Sequence, residues 1–237
     1  MTAPEQLHVV TADQRDPRLG RQCVHDPRSR SFAAPRTGAA RRDIAHRVYD
    51  PTPNPNQPRG NCTGCAEAMM GNAKGNRRSG VILRMADADR IYSRATQLDP
   101  WPGSWPPTDT GSSGLAAAKA AVELGHGESY EWYFGIDHTL GGLQHHALSA
   151  GTWWTEGLFE PDPRTKLVRP TGQKVGGHQY LLRAYDVTSK LTVGQHRIGL
   201  RCWWGGYRDV WITVDDFAGL LADDGDVHRT ARRAPTG

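Results

Sequence analysis

Two cysteines three residues apart, Cys62 and Cys65, stand where a coil rich in Pro and Asn gives way to a predicted helix. A thiol in this position can act as a nucleophile, as half of a metal site, as one partner of a redox pair, or as a small buried hydrophobe. A zinc site would need a second pair of ligands at suitable spacing, whereas Cys23 and Cys202 are isolated. A redox pair of the thioredoxin type would need a preceding strand, which residues 51–58 do not predict.

The nucleophile hypothesis rests on the start of the helix. The dipole and the free N–H groups of a helix N-terminus stabilise a thiolate, and the same N–H groups can hold a developing oxyanion. Gln57, just upstream, is a candidate for a further side-chain donor. Buried, inert thiols are the alternative reading of the same pattern.

A cysteine nucleophile needs a base, and His178 is the candidate among ten histidines. Gly176 and Gly177 precede it, so backbone or substrate can approach closely, and it opens a predicted strand that would hold the imidazole rigidly. A strand-end histidine with satisfied hydrogen bonds is the alternative. A third feature is the segment 199–206, a strand that ends in Trp and Gly, for which ordinary packing of core tryptophans is the alternative.

The elements that must position these residues differ between the two halves of the chain. Up to about residue 148 the pattern predicts helix and coil, with an amphipathic helix over 81–98, an Ala-rich helix over 115–124 and a short helix from Asp137. In the second half, strands are predicted over 149–154, 178–185, 197–203 and 209–214. A closing helix over 215–222 precedes a polar tail that we expect to be loose.

Composition excludes several classes of protein. The 237 residues, 37% of them apolar, suffice for one large domain or two lobes with a sizeable core. The sequence has no run of about 18 apolar residues and no apolar signal segment at its N-terminus, so we expect no membrane span. Four cysteines are too few and too irregular for a disulfide framework, so we expect free thiols and a cytoplasmic location.

Residues 1–48 are rich in Arg with interspersed Asp and lack apolar periodicity, which predicts an extended arm over the domain surface. Nucleic-acid association through residues 15–47 is a weaker hypothesis. The Asp residues interrupt the basic run, tandem aromatic residues for base stacking are absent, and the net charge is only +4.

Taken in order, the cysteine at a helix start, the histidine at a strand start and the Trp-Gly strand end resemble the papain-like cysteine peptidases over about residues 48–226. The resemblance is greatest to the bacterial and phage branch, which has no secretory pro-segment. Individual segments are similar to the family's boxes for the nucleophile, the glycine-containing cleft wall, the base and the Asn-Ser-Trp-Gly motif: Gln57 to Ala66, Asp109 to Leu115, Gly176 to His178, and Gly199 to Gly205. Residues 215–221 resemble the closing helix of this branch.

The resemblance implies an α+β, papain-like fold in which a helical lobe carrying the nucleophile helix packs against an antiparallel β-barrel-like lobe, with the active-site cleft between them. The domain organisation it implies is an arm, a catalytic domain made of helical and β lobes, and a polar tail: 1–48, 49–226 (about 49–148 and about 149–226), and 227–237.

The resemblance also implies roles for residues. Cys62 would be a thiolate paired with protonated His178, and Gln57 would help to hold the oxyanion. Cys65 is the nucleophile in an alternative frame. Substrate-binding positions carried over from the family are Gly111, Ser112, Ser113, Gly114, Gly177, Trp203 and Trp204, of which the two tryptophans would shield the histidine and line the cleft.

Two departures from the family pattern bear on activity. Pro58 follows Gln57 in place of Gly, and Gln57 is one residue closer to the cysteine than usual. Cys202 stands where the family has the Asn that accepts a hydrogen bond from the imidazole. A thiol is a weak acceptor, so we expect the orientation of His178 to be looser and activity to be reduced without being abolished.

The function implied is that of a thiol hydrolase cleaving peptide or isopeptide bonds through a Cys–His pair. Its partner would be a protein or peptide substrate, with no cofactor, no metal and no membrane, and nucleic acid is disfavoured as a partner. The sequence carries no signal for an oligomeric state. The alternative is a catalytically impaired papain-like fold that serves as a structural or binding protein, for which phage encoding and virion association would be the setting.

Overall fold

The structure, a computed structural model, describes residues 16–23, 27–38, 40–52, 55–78, 80–187, 192–204 and 209–232. Its helices are α1 (Cys62–Asn72), α2 (Met85–Leu98), α3 (Gly114–Glu123), α4 (Gly135–Leu143) and α5 (Val214–Ala222). Its strands are β1 (Ile44–Ala45), β2 (Ser129–Tyr133), β3 (Leu148–Thr155), β4 (Lys174–Asp186), β5 (Arg197–Arg201), β6 (Val210–Thr213) and β7 (Asp226–Ala231). Short 3-10 turns cover Pro27–Phe32, Glu156–Phe159 and Val193–Gln195.

Over these described ranges the strands form one antiparallel sheet in the order β2-β7-β3-β4-β5-β6, with the short β1 also paired to β4. The long strand β4 therefore lies at the centre of the β half. In its register with β3, His178 is opposite Thr152. The expected α+β architecture, with helices packed on an antiparallel sheet, is confirmed.

Helix α1 packs against α2, α3 and β4 and is buried along almost its whole length. Small residues in its sequence allow this close approach. A Cβ placed on Gly64 would lie 2.1 Å from the carbonyl oxygen of Ala88 in α2, so only glycine fits there. A buried position between helices and sheet fixes the first residue of α1, Cys62, relative to β4.

The prediction of a loose tail was wrong for Asp226–Ala231, which forms β7 between β2 and β3. Two of its buried polar residues have partners on other elements. The Asp226 carboxylate pairs with Arg21 at 2.8 Å, and His228 Nε2 lies 2.5 Å from Glu67 Oε1 in α1. Strand β2 was also missed, in a stretch predicted as helix and coil.

The arm also differs from the prediction. It was expected over the domain surface, but Leu19 is fully buried and Arg21 is 4% exposed. Further along, Ile44–Ala45 adds a short strand to the edge of β4. Two smaller corrections concern boundaries: α2 begins at Met85 instead of residue 81, and β4 begins at Lys174, four residues before His178. Residues 1–15, Gly205 and residues 233–237 lie outside the described residues.

No helix within the described ranges is long and apolar enough to cross a membrane.

Candidate active site

Cys62 is the first residue of α1 and is completely buried. Its sulfur faces two backbone N–H groups, those of Gln179 in β4 and of Gly20 in the N-terminal segment. Burial raises the pKa of the Cys62 thiol, and the two N–H groups offset part of this effect. The thiol therefore lies at the helix N-terminus and beside the residue that follows His178.

The His178 imidazole is held by aromatic rings and by one sulfur atom. Trp204 covers it with ring centroids 4.1 Å apart, and Trp154 meets it edge-on at 4.9 Å. Its Nε2 lies 3.4 Å from the Sγ of Cys202, and its Nδ1 has no hydrogen-bond partner among the described residues. The imidazole thus keeps one nitrogen engaged with residue 202 and the other unengaged.

Burial is also the main electrostatic influence on this histidine. Burial first and the nearby charge of Arg18 second lower the pKa of His178 to about 3, although Asp16 acts in the opposite direction. Because burial raises the pKa of Cys62 at the same time, neutral thiol and neutral imidazole are favoured near pH 7 in this state. The thiolate–imidazolium pair expected from the sequence needs a less buried site than this one.

Cys202 follows the end of β5 and is 1% exposed. Burial raises the pKa of its thiol, with the neighbouring Cys62 as a second cause, so it is an uncharged S–H group at neutral pH. Its contact with His178 Nε2 is the one that the family's Asn makes in the resemblance described above. The thiol occupies the position of the orienting group but is a weak hydrogen-bonding partner.

Gln57 is buried, and both ends of its amide are engaged. Its Nε2 donates to the carbonyl oxygens of Arg18 (2.7 Å) and Arg59 (2.8 Å), and its Oε1 accepts from Trp204 Nε1 at 2.9 Å. The indole thus fixes which way the amide points. The side-chain N–H₂ group that would hold an oxyanion is already bound to a carbonyl oxygen of the N-terminal segment.

The glycine-containing wall over 111–114 is fixed by hydrogen bonds to neighbouring residues. Gly111 has a φ of 71° and donates its N–H to the Tyr92 hydroxyl, and Ser112 Oγ donates to Asp99 Oδ2 at 2.7 Å. Ser113 is the N-cap of α3, accepting from Ala116 N at 3.2 Å. These contacts leave the backbone of Ser112 free to pair with a chain lying beside it.

That chain is the N-terminal segment itself. Ser112 N–H donates to Gly20 O and Gln22 N–H donates to Ser112 O, both at 2.8 Å, while Arg21 N–H donates to Gly177 O at 3.0 Å. The segment therefore runs between the wall and the part of β4 that precedes His178. We call residues 16–23 the strap.

The backbone of the strap packs directly against the backbone of the site. A Cβ on Gly20 would lie 1.7 Å from Gly60 O, and one on Gly177 would lie 2.1 Å from Arg21 O. At its start, the Arg18 guanidinium lies 4.6 Å from the centroid of the Trp204 ring. The strap thus covers Cys62, the Gln57 amide and the ring over His178.

Comparison with known proteins gives matches among solved structures alone: no family model and no curated protein sequence matches this chain. The cysteine protease xylellain from Xylella fastidiosa superposes with a TM-score of 0.66 at 14% identity, covering 94% of this chain and 100% of that one. Procathepsin B S9 from Trypanosoma congolense gives 0.63 at 12% identity, with 94% and 90% covered. Digestive procathepsin L 3 from Tenebrio molitor larval midgut gives 0.60 at 9%, with 92% and 76% covered.

The chain has the papain-like fold. The resemblance inferred from the sequence motifs is confirmed at the level of fold, since identities of 14% and below establish the architecture and not the chemistry. The sequence motifs did not predict the strap. Its only sequence signal is a Leu-Gly step at residues 19 and 20, an apolar residue and a flexible one inside an Arg- and Asp-rich stretch.

Three of the site residues predicted from the sequence do not lie with the others. Cys65 packs in the apolar cluster around α1, with its Sγ 3.6 Å from Asn61 Oδ1, and burial raises its pKa well above the usual value. Trp203 packs in that same cluster, so the expected shielding of the histidine belongs to Trp204 alone. Gly114 lines a different part of the cleft, beside Asp226.

Acidification should loosen the strap. The strapped state holds His178 with a pKa of about 3, whereas a more exposed imidazole titrates near its usual value of about 6.5. The released state therefore binds the proton more tightly, and the strapped state loses stability as the pH falls from about 6.5 towards 3.

Acrylamide quenching of Trp204 fluorescence measures this release, taken as the difference between the full-length chain and Trp204→Phe at each pH. We expect the quenching to rise between pH 7 and pH 4 while the far-UV circular dichroism is unchanged. Equal quenching at the two pH values would show that the strap is insensitive to the His178 proton.

Proposed function

We propose that this chain is a papain-like thiol hydrolase that cleaves peptide or isopeptide bonds and that the strap keeps it latent. The observation that carries the proposal is the placement of Cys62, which begins α1 with its sulfur at the N–H of Gln179, the residue that follows His178 in β4. The contact between His178 Nε2 and Cys202 supports it, since it leaves Nδ1 as the nitrogen for proton transfer.

The reaction follows from these positions. The Cys62 sulfur gives its proton to His178 and attacks the scissile carbonyl carbon, forming a tetrahedral intermediate whose oxyanion is held by the Gln57 amide and the N–H groups at the start of α1. His178 then protonates the leaving amine as the C–N bond breaks. Water, activated by the same histidine, hydrolyses the thioester and returns the thiol.

The latency follows from what the strap does to these groups. It occupies the Gln57 donor with the Arg18 carbonyl, presents the Gly20 N–H to the sulfur, and holds the Gly20 carbonyl on Ser112. Through these contacts the Cys62 sulfur faces an N–H group of the strap and not one of its carbonyl groups. Similar structures support this reading, since they include procathepsin L 3, a recombinant stem bromelain precursor and a procathepsin B.

The test compares Cys62→Ala with Cys65→Ala, a matched loss of one thiol on the same helix. With the strap released, we expect limiting iodoacetamide at pH about 5.5 to label Cys62 in preference to the other thiols. We expect Cys62→Ala to abolish peptide hydrolysis and Cys65→Ala to retain it. Labelling without preference among the four thiols, or hydrolysis that survives Cys62→Ala, would remove the proposed mechanism.

A second candidate function is a binding protein that kept the papain-like fold and lost turnover. The observation that favours it is Cys202, a weak acceptor in the place of an orienting amide. The same assay separates the two functions: hydrolysis that depends on Cys62 excludes the second candidate, and specific peptide binding without any turnover supports it.

A further inference from the structure

Arg21 of the strap places its side chain in a pocket of the cleft. The side chain is 1% exposed, and its Nη2 donates to Asp226 Oδ1 at 2.8 Å and to the Asp224 carbonyl oxygen at 3.1 Å. The Asp226 side chain is itself only 8% exposed. Since the backbone of Arg21 is the part that pairs with Ser112 and Gly177, this pocket opens directly onto the peptide-binding groove.

The pocket is shaped for a long side chain by two glycines. A Cβ on Gly151 would lie 2.0 Å from Arg21 Nε and 2.5 Å from Gln179 Oε1, so any side chain there would fill the space that the guanidinium occupies. A Cβ on Gly114, at the start of α3, would lie 3.0 Å from Asp226 Oδ2. Strand pairing places Gly151 opposite Asp226, so the carboxylate stands on the rigid sheet.

The charge in the pocket decides what can enter it. A buried carboxylate is costly without a partner, and an apolar side chain in the pocket would leave the Asp226 carboxylate desolvated and unpaired. A guanidinium or ammonium group pairs with it. Burial by itself would lower the pKa of Arg21, and the Asp226 carboxylate and Cys23 together more than offset this, so the arginine stays charged.

We propose that this pocket selects substrates carrying an arginine or lysine side chain, which Asp226 recognises. The proposal rests on the proposed hydrolase function and adds the class of substrate. The strap then acts as an internal competitor, because its Arg21 occupies the pocket that a basic side chain of the substrate needs. A basic side chain of the substrate can therefore enter the pocket only when Arg21 leaves it.

The test uses the full-length Arg21→Ala chain, in which the pocket has lost its internal occupant. Blocked peptide amides that differ only in Arg, Lys, citrulline or Leu at one position, scanned along the peptide, are assayed for cleavage. We expect a position at which Arg and Lys exceed citrulline and Leu by at least about tenfold, because a charge-assisted hydrogen bond in a buried site contributes that much. Equal cleavage of Arg and citrulline peptides at every position would overturn the proposal.

Asp226→Asn in the same chain should remove the preference for Arg over citrulline, and Asp226→Glu, which keeps the charge, should retain it. Asp224→Asn is the matched control. It removes a neighbouring exposed carboxylate, leaves the carbonyl group in place, and suits the positive φ of 58° at that residue. A preference that survives Asp226→Asn, or that Asp224→Asn removes to the same extent, would contradict the role of Asp226.

A second measurement separates this proposal from the hydrolase function. If no peptide is cleaved, protection of Cys62 from iodoacetamide by the same peptides reports binding in the cleft. Protection by Arg and Lys peptides that disappears in Asp226→Asn would support the pocket while refuting the hydrolase. Protection that is equal for all four peptides would refute the pocket, and so would a Cys62 that stays unreactive in Arg21→Ala, because Arg21 would then not anchor the strap.

Discussion

Gly20→Ala should increase the rate at which iodoacetamide alkylates Cys62 in the full-length chain by about tenfold to a hundredfold. The strap passes so close to the start of α1 that the added methyl group would lie 1.7 Å from the carbonyl oxygen of Gly60, and 2.3 Å from its carbon. Backbone atoms cannot move aside as a flexible side chain does. Overpacking of this kind costs about 1–3 kcal/mol or more, and about 1.4 kcal/mol corresponds to a factor of ten in the fraction of released strap.

The expected gain has three sources, all of which follow from the contacts of the strap. Release uncovers the sulfur, which is fully buried in the strapped state. It frees the Gln57 amide from the Arg18 carbonyl. It also removes burial and the Arg18 charge from His178, so the pKa of the imidazole rises and the thiolate–imidazolium pair becomes accessible.

Gly38→Ala is the matched control for this prediction. It makes the same change in the same N-terminal part of the chain, at a glycine where an added Cβ would meet nothing within 4 Å. Its alkylation rate should equal that of the unchanged chain. If Gly20→Ala leaves the rate unchanged, or Gly38→Ala raises it equally, the fit of the strap against Gly60 is not what protects the thiol. Peptide hydrolysis should rise in parallel with labelling if the thiol is the nucleophile.

The elements that carry Cys62 and His178 were predictable because their signals are local. A coil rich in Pro and Asn followed by small residues marks the start of α1, and two glycines before a run of apolar and aromatic residues mark the position of His178 in β4. Local sequence signals did not determine which of the two cysteines faces the cleft. The motif order favoured Cys62, and the packing of Cys65 in the apolar cluster supports that choice.

The strap and β7 could not be predicted because long-range polar contacts hold them. The strap binds largely through its backbone, to Ser112 and Gly177, and backbone hydrogen bonds leave no signature in side-chain composition. Strand β7 contains Asp, His, Arg and Thr and therefore resembles exposed coil. Its burial depends on partners more than 100 residues away: Asp226 pairs with Arg21, and His228 with Glu67.

These two unpredicted elements meet in the Arg21–Asp226 pair, which would link the proposed latency to the proposed substrate choice. Each half of the pair looks like an exposed residue in its own sequence context. Together they place in the cleft a charged side chain, that of Arg21, which is only 1% exposed. The contribution of the ion pair to stability is small once desolvation is counted. Its contribution to the proposed selection of a basic side chain would be large, because an unpaired buried carboxylate rejects the alternatives.

Cys202→Asn should raise the turnover of the strap-released enzyme by about tenfold to a hundredfold. For His178 to accept the Cys62 proton on Nδ1, its Nε2 must carry the other proton and donate it. A thiol at 3.4 Å can instead donate its own S–H to Nε2, which favours the wrong tautomer. An Asn carbonyl oxygen accepts the Nε2 proton and stabilises the imidazolium that forms during reaction. Such a bond to a charged group contributes about 1.5–3 kcal/mol.

The series Ala, Cys, Ser and Asn at position 202 tests this argument in a Gly20→Ala background. Turnover should increase in that order, since acceptor strength does, and labelling of Cys62 at pH about 5.5 should follow the same order because both depend on a charged His178. A purely structural role for Cys202 would instead make the native residue the best of the four, since the site is buried and packed for a thiol. Asn and Ser variants no faster than Cys would therefore show that the orientation of the imidazole is not what limits this site.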